Sequence, residues 1–158
     1  MEQEPILNEH NKQEYPPMHT AEHILNQTMV RMFGCPRSRN AHIERKKSKC
    51  DYQLAACPSD EQVQELERRV NEVIQRGLDV SYEFVRRDEV PPEVDLGKLP
   101  DDASETLRLV RIGDYDLCAC VGTHVKNTTA KRLLPSKTYD YLQSRRLVRA
   151  ACFFILSV

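Results

Sequence analysis

The sequence has no long hydrophobic run and no excess of charge of one sign. No stretch approaches the roughly 18 consecutive apolar residues of a membrane-spanning helix, so we expect no membrane span. Lys and Arg total 23 and Asp and Glu total 24. This balance argues against a uniformly basic nucleic-acid-binding protein but allows a local basic face. The chain also has no internal repeat and no low-complexity tract, and 158 residues predict one domain.

The N-terminal residues are polar and acidic and lack the positive segment and apolar core of a secretory signal peptide. We therefore expect a cytoplasmic protein. Thiols stay reduced in that compartment, so the cysteines are expected to be reduced thiols or metal ligands rather than a disulfide framework. The six cysteines are Cys35, Cys50, Cys57, Cys118, Cys120 and Cys152.

Local patterns predict two principal helices. Residues 1–17 are expected to form a loose leader, and residues 18–158 a single domain. Apolar residues spaced at about 3.6 predict a first helix over residues 18–33, which Gly34 ends. The second helix starts at Ser59, which can form a capping box with Gln62.

The remaining segments predict a mainly antiparallel sheet. Alternating apolar residues and turn signals indicate strands at residues 40–44, 50–56, 80–85, 106–112 and 115–120, with a buried strand in 146–158. Residues 86–105 contain several prolines and predict an irregular connection. The expected fold class is α+β, with this sheet packed against the two helices.

Two pairs of potential metal ligands lie about 100 residues apart. His19 and His23 are four residues apart on the first predicted helix, so both rings share one face. Cys120 and His124 follow a predicted strand, and Gly122 allows a tight turn between them. Three imidazoles and one thiolate form a tetrahedral set that suits Zn²⁺, whereas a thiolate disfavours Mg²⁺ and Ca²⁺. The pattern predicts a zinc site if the two stretches meet in the fold.

The two stretches also carry a family resemblance. His19-Thr20-Ala21-Glu22-His23 and Cys120-Val121-Gly122-Thr123-His124-Val125 together resemble the editing domain of alanyl-tRNA synthetases. They are similar to the freestanding alanyl-tRNA editing proteins of the AlaX type and, more distantly, to the editing domain of threonyl-tRNA synthetase. The resemblance covers roughly residues 18–128 and includes segments 70–74 and 108–113.

The resemblance implies a zinc-dependent trans-editing hydrolase, an aminoacyl-tRNA deacylase. Its substrate would be the acceptor end of mischarged tRNA for alanine, carrying serine or glycine, and the zinc ligands would be His19, His23, Cys120 and His124. The short chain lacks the glycine-rich module of the longer forms and looks like the small freestanding class. The pocket in which a synthetase activates its amino acid rejects an isostere with an added hydroxyl only about 100-fold. A second, hydrolytic site is therefore needed to remove the wrong amino acid.

Further residues are candidates for substrate contacts. Thr20 and Thr123 are the hydroxyls nearest the motif histidines and are the predicted catalytic residues, as partners of the serine side chain or the attacking water. Phosphates of a single-stranded acceptor end need nearby cations. The predicted tRNA-binding residues are Arg45, Lys46, Lys47 and Lys49, with Arg37, Arg39, Arg145, Arg146 and Arg149 as further candidates.

Other interpretations stay open. Four protein ligands close a zinc site, so zinc is either catalytic or structural, and a non-catalytic module that binds tRNA or a synthetase is the main alternative. His19 to His23 also fits the H-x-x-E-H motif of a zinc metallopeptidase with Glu22 as general base, unless Glu22 simply faces solvent. That motif leaves Cys120 and His124 without a role.

Some residues depart from the family pattern or lie outside it. Val121 stands where the family often has glycine, and Cys118 is a potential competing ligand. Residues 130–135 do not match the continuation that the family usually shows. His10 and His42 are expected at the surface or in packing, although His42 follows the first helix closely enough to line its pocket.

Overall fold

A computed structural model describes residues 15–39, 41–42, 47–56, 58–96, 105–129 and 151–157. For residues 41–42, 47–49 and 151–157 it describes the strands without their side chains. The predicted leader up to residue 14, the divergent segment 130–135 and most of the predicted basic residues lie outside these ranges. Within them, no helix has the length and hydropathy needed to cross a membrane.

The first helix, α1, spans Pro16–Phe33. Proline suits the first turn of a helix, where its missing N–H is not needed. The helix therefore begins two residues earlier than the pattern predicted, and the last two residues of the predicted leader belong to it. Gly34 ends the helix in the left-handed conformation (φ 63°), and its N–H donates to the Val30 carbonyl at 2.9 Å.

The second helix, α2, spans Asp60–Gln75 and starts with the predicted capping box. The Gln62 N–H donates to Ser59 Oγ at 3.2 Å, and the Ser59 N–H donates to Gln62 Oε1 at 2.9 Å. Two orphan N–H groups of the first turn are thereby satisfied.

In the part of the chain that the structure describes, six strands form two antiparallel sheets of three strands, which confirms the α+β class. Strands β1, β2 and β6 form one sheet, in the order β1-β2-β6, and β3, β4 and β5 form the other, in the order β3-β4-β5. A short 3₁₀ helix at Arg87–Glu89 follows β3. The strands are β1 Ala41–His42, β2 Lys47–Gln53, β3 Val80–Arg86, β4 Thr106–Ile112, β5 Asp116–Ala119 and β6 Ala151–Ser157.

The β4–β5 hairpin carries the second motif. Ile112 pairs with Asp116 across a turn in which Gly113 has φ 48°, a conformation that favours glycine. A Cβ at Gly113 would lie 3.0 Å from side-chain atoms of Leu78. The turn is therefore restricted by both backbone and packing, and it fixes where Cys120 emerges at the end of β5.

The apolar core lies between the two helices and the hairpin. Ile24, Leu25 and Met29 of α1 are fully buried, and they belong to one cluster with Leu66 of α2 and Ile112 of β4. Helix α1 also buries polar side chains, among them His19, Thr20, Glu22, His23 and Asn26. The helix is thus covered on its polar side as well as on its apolar side, and the polar side holds the first motif.

Candidate metal centre

The two motifs meet in the fold. One potential ligand atom from each of His19, His23, Cys120 and His124 can be chosen so that all four atoms lie within 4.8 Å of one another. The three histidines are buried, and Cys120 is partly buried. Helix α1 supplies the first two residues, and the segment after β5 supplies the other two. The four predicted ligands are thus brought together in an arrangement compatible with a metal site.

The three imidazole rings pack against one another. The His19 and His124 rings are stacked with centroids 4.1 Å apart, and the His23 ring meets both edge-on at 4.9 and 4.5 Å. Cys120 Sγ lies 3.3 Å from His19 Nε2. The sulfur and the ring nitrogens therefore converge on one small volume.

Hydrogen bonds to the outer nitrogens orient two of the rings. His19 Nδ1 lies 3.2 Å from the Thr123 carbonyl oxygen, and His124 Nδ1 lies 3.0 Å from Thr20 Oγ1. Thr20 Oγ1 also accepts from the Val125 N–H at 3.2 Å. With the ring hydrogen on Nδ1, each ring directs the lone pair of Nε2 to the cluster, as in metal-bound histidines.

A buried ion pair, which the sequence analysis did not identify, lies behind the third ring. Asp116 Oδ2 is 3.7 Å from His23 Nδ1, and the carboxylate of Asp116 accepts from Arg37 at 2.6 and 3.2 Å. Burial would raise the pKa of Asp116, but the charges of Arg37 and His23 hold it below its ordinary value. A charged carboxylate behind a histidine is the common outer-shell arrangement at metal sites.

Arg37 was a candidate RNA-binding cation, but the structure gives its guanidinium a partner within the protein. Its side chain is only 12% exposed and is used by Asp116, whereas Arg39 is exposed. No local pattern signals this pair, because the two residues are 79 positions apart in the sequence.

Cys120 has the protonation state that a metal ligand needs. Burial would raise its pKa, but the adjacent His124, His19 and His23 side chains lower the pKa of Cys120 to about 2. The Gly122 N–H also lies 3.4 Å from the sulfur. Burial and the nearby His23 and His19 lower the pKa of His124 to about 4. A thiolate and a neutral imidazole are the forms that coordinate metal ions.

Cys118 has a different protonation state from Cys120, although the two cysteines are only two residues apart. Burial raises the pKa of Cys118 to about 12, and its thiol faces the Ala119 carbonyl at 3.6 Å. Among the described residues, Cys118 is not part of the group that could hold an ion. The neutral thiol does not compete with Cys120 for the cluster.

The donors fit a metal ion. His124 Nε2 is buried and has no hydrogen-bond partner. A buried nitrogen left in that state costs about 1–3 kcal/mol, which an ion at this position would recover. One thiolate with three imidazoles is a soft donor set that suits transition metals rather than Mg²⁺ or Ca²⁺.

Glu22 is buried, so the expectation that it faces solvent is wrong. Its exposed fraction is 3%, because the polar side of α1 is covered as fully as its apolar side. The H-x-x-E-H interpretation left Cys120 and His124 without a role, and the structure places both beside His19 and His23. This arrangement weighs against a metallopeptidase.

The other predicted site residues are scattered. Thr20 is fully buried and bonded to the second motif, whereas Thr123 is exposed. Lys47 and Lys49 lie on β2, in the sheet that does not carry Cys120, and their side chains are not described. Arg45, Lys46, His10, Cys57, Arg145, Arg146 and Arg149 lie outside the described residues, as do the side chains of His42 and Cys152.

Tyr82 and Arg108 form the rim beside the cluster. The Tyr82 side chain is 42% exposed, and its hydroxyl accepts from the His124 N–H at 3.1 Å. The Arg108 guanidinium stacks on the Tyr82 ring at 4.4 Å and donates to the carbonyls of Cys120 and Gly122. These contacts hold the backbone that carries the second motif.

Comparison with known proteins agrees with this site. Residues 107–129, which include the second motif, match the family of the threonyl and alanyl tRNA synthetase second additional domain. The alanine–tRNA ligase of Thermoanaerobacter sp. (strain X514) is 30% identical over 111 residues, 70% of this chain and 13% of the ligase. That of Methanococcus vannielii is 30% identical over 129 residues, 78% of this chain and 14% of the ligase. That of Pseudoalteromonas translucida is 28% identical over 109 residues, 68% of this chain and 13% of the ligase.

The fold and the histidine–cysteine cluster define an α+β domain with a candidate metal centre. The chain is a relative of the second additional domain of threonyl and alanyl tRNA synthetases, and the predicted resemblance to their editing domains is confirmed. It spans about 13–14% of the length of the ligases described above. The relationship supports a function connected with tRNA editing.

Proposed function

We propose that the chain is a zinc-dependent deacylase that hydrolyses the ester of mischarged tRNA for alanine carrying serine or glycine. The observation that supports this proposal best is the convergence of His19, His23, Cys120 and His124 at the junction of the two motifs. The relationship to alanine–tRNA ligases supports tRNA for alanine as the substrate.

Zinc is the ion we propose for the site. Thiolate and imidazole are its usual protein ligands, at about 2.3 Å for sulfur and 2.0–2.1 Å for nitrogen. When bound, zinc supplies Lewis-acid polarisation of an oxygen in the ester or in water. His19, His23, Cys120 and His124 are the proposed ligands.

The surrounding residues position the ligands and the substrate. Thr20 holds His124, and Asp116 lies behind His23, so each ring keeps its orientation. Thr123 is exposed beside two ligands, and we propose that its hydroxyl contacts the substrate amino acid or the attacking water. We propose Arg45, Lys46, Lys47 and Lys49 as the cations that bind the acceptor-end phosphates.

Two neighbouring cysteines provide a matched test. Purified wild-type protein is assayed for bound zinc and for release of the amino acid from Ser-, Gly- and Ala-tRNA for alanine. Cys120→Ser should lose zinc and reduce deacylation by at least 100-fold, whereas Cys118→Ser should retain both. The proposal fails if the wild-type protein leaves all three esters intact, or if Cys120→Ser hydrolyses them at the wild-type rate.

A second function is favoured by the number of ligands. Four protein ligands fill a tetrahedral zinc site, and filled sites are usually structural. The corresponding candidate is a non-catalytic module that binds tRNA or a synthetase. Zinc-loaded wild-type protein that binds tRNA for alanine but cleaves no ester would establish this alternative.

A further inference from the structure

A buried carboxylate lies against two of the proposed ligands. Glu22 sits between His19 and His23 on α1, and its Oε2 is 4.0 Å from His19 Nε2 and 3.8 Å from His23 Nε2. The ligand atoms of the cluster themselves lie up to 4.8 Å apart. The carboxylate oxygen therefore lies near these two nitrogens, although Glu22 is not one of the four residues whose ligand atoms all lie within 4.8 Å of one another.

A hydrogen-bond network fixes this carboxylate. Asn26 Nδ2 donates to Glu22 Oε1 at 2.7 Å, and Asn26 Oδ1 accepts from the Tyr52 hydroxyl at 2.6 Å and from the Ser38 N–H at 3.3 Å. The two donors to Oδ1 determine which way the amide points, so its NH₂ group faces Glu22. Burial raises the pKa of Tyr52 well above its ordinary value, which keeps its hydroxyl a donor. Oε1 is thus bonded to Asn26, while Oε2 lies next to the two histidines.

The charge of a bound ion would explain why a carboxylate is buried beside the proposed ligands. A divalent ion held by one thiolate and three neutral imidazoles carries one net positive charge, which is costly to bury. Asp116 already pairs with Arg37, so it does not balance that charge. A carboxylate from Glu22, together with the Cys120 thiolate, would make the buried site neutral.

We propose that Glu22 is a fifth ligand of the metal ion, through Oε2, and that Asn26 positions it. Zinc accepts carboxylate oxygen at about 2.0–2.2 Å and can expand to five ligands. This inference rests on the zinc site of the proposed function, and it adds a carboxylate to the four motif residues. It also gives a role to the glutamate of the H-x-x-E-H pattern.

The test replaces the carboxylate with an amide of the same shape. Zinc affinity of Glu22→Gln is measured by competition with a chromogenic chelator, and the visible absorption of the Co²⁺-substituted protein reports the number of ligands. Glu72→Gln, an exposed glutamate of α2, is the matched control. We expect Glu22→Gln to bind zinc at least about tenfold more weakly, since even outer-shell partners change affinity by about 10–100-fold. The Co²⁺ bands should change from the weak intensity of a five-coordinate ion to the stronger intensity of a four-coordinate ion.

Several results would overturn the inference. They are an affinity within twofold of wild type, or Co²⁺ bands of the same intensity in wild type and Glu22→Gln. If Glu22→Gln does not fold by circular dichroism, Glu22→Ala leaves room for water at Asn26 and is held to the same two criteria. Neither measurement uses tRNA. A wild-type protein that binds zinc but cleaves no ester would therefore refute the deacylase and leave the role of Glu22 intact.

Discussion

Removing the charge of Asp116 should destabilise the protein far more than removing that of a neighbouring aspartate. Asp116 Oδ1 lies 2.6 Å from Arg37 Nη1, and the side chains of the pair are 1% and 12% exposed. Asp116→Asn keeps the shape but leaves the Arg37 guanidinium buried without its counter-charge. Breaking such a pair from one side costs about 3–5 kcal/mol. Asp114→Asn is the control, because Asp114 and Arg76 form an exposed pair that is worth under about 1 kcal/mol.

The assay is urea unfolding in the presence of a chelator, so that no metal contributes to stability. We expect the free energy of unfolding to fall by about 3–5 kcal/mol for Asp116→Asn. A double variant, Arg37→Leu with Asp116→Leu, removes both charges, and apolar replacement of a buried pair is often neutral. Its free energy of unfolding should therefore return towards the wild-type value.

Metal binding should respond differently from stability. His23 loses its outer partner in both the single and the double variant, so zinc affinity should fall by about 10–100-fold in each. If Asp116→Asn costs no more free energy than Asp114→Asn, the buried-pair reasoning is wrong. If the double variant binds zinc as tightly as wild type, Asp116 does not orient His23.

Three further predictions concern a helix cap, a turn and the thiols. Ser59→Ala removes the cap of α2 and should lower the free energy of unfolding in urea by about 1 kcal/mol. Gly113→Ala should lower the free energy of unfolding by more than about 1 kcal/mol and lower the melting temperature. The reason is that φ of residue 113 is positive and the added Cβ would lie 3.0 Å from the Leu78 side chain. In zinc-loaded protein treated with iodoacetamide at pH 8, mass spectrometry should find Cys120 alkylated only after a chelator is added. Cys118, whose pKa is raised to about 12, should stay unmodified in the folded protein, and labelling of Cys120 without the chelator would contradict metal protection.

The sequence predicted the local structure where the signals are local. The capping box of Ser59 and Gln62 and the adjacent strands predicted at 106–112 and 115–120 depend on residues within a few positions, and both features are found. Strand β2 was predicted at 50–56 but spans Lys47–Gln53, because its bounds follow from pairing with β6, Lys47 with Ser157 through Gln53 with Ala151. Pairing between segments about 100 residues apart has no local signature.

The residues of the site divide in the same way into those with a local sequence signal and those that depend on distant parts of the chain. Residue type and four-residue spacing were enough to select His19, His23, Cys120 and His124, and the fold brings them together. The residues behind them were missed, since an aspartate and an arginine such as Asp116 and Arg37 look like surface charges until the fold buries them. Glu22 was misjudged for a related reason, because helical geometry alone does not say how many sides of a helix are covered.

The bonds that join Thr20 to His124 and His19 to Thr123 connect residues 104 positions apart. At translation rates of about 5–20 residues per second, α1 is synthesised roughly 5–20 s before those partners. Throughout that interval the imidazoles of α1 have no loop to dock against. The site is therefore assembled late in biosynthesis. A nascent chain that stalls before Cys120 contains only two of the four proposed ligands and cannot complete the site.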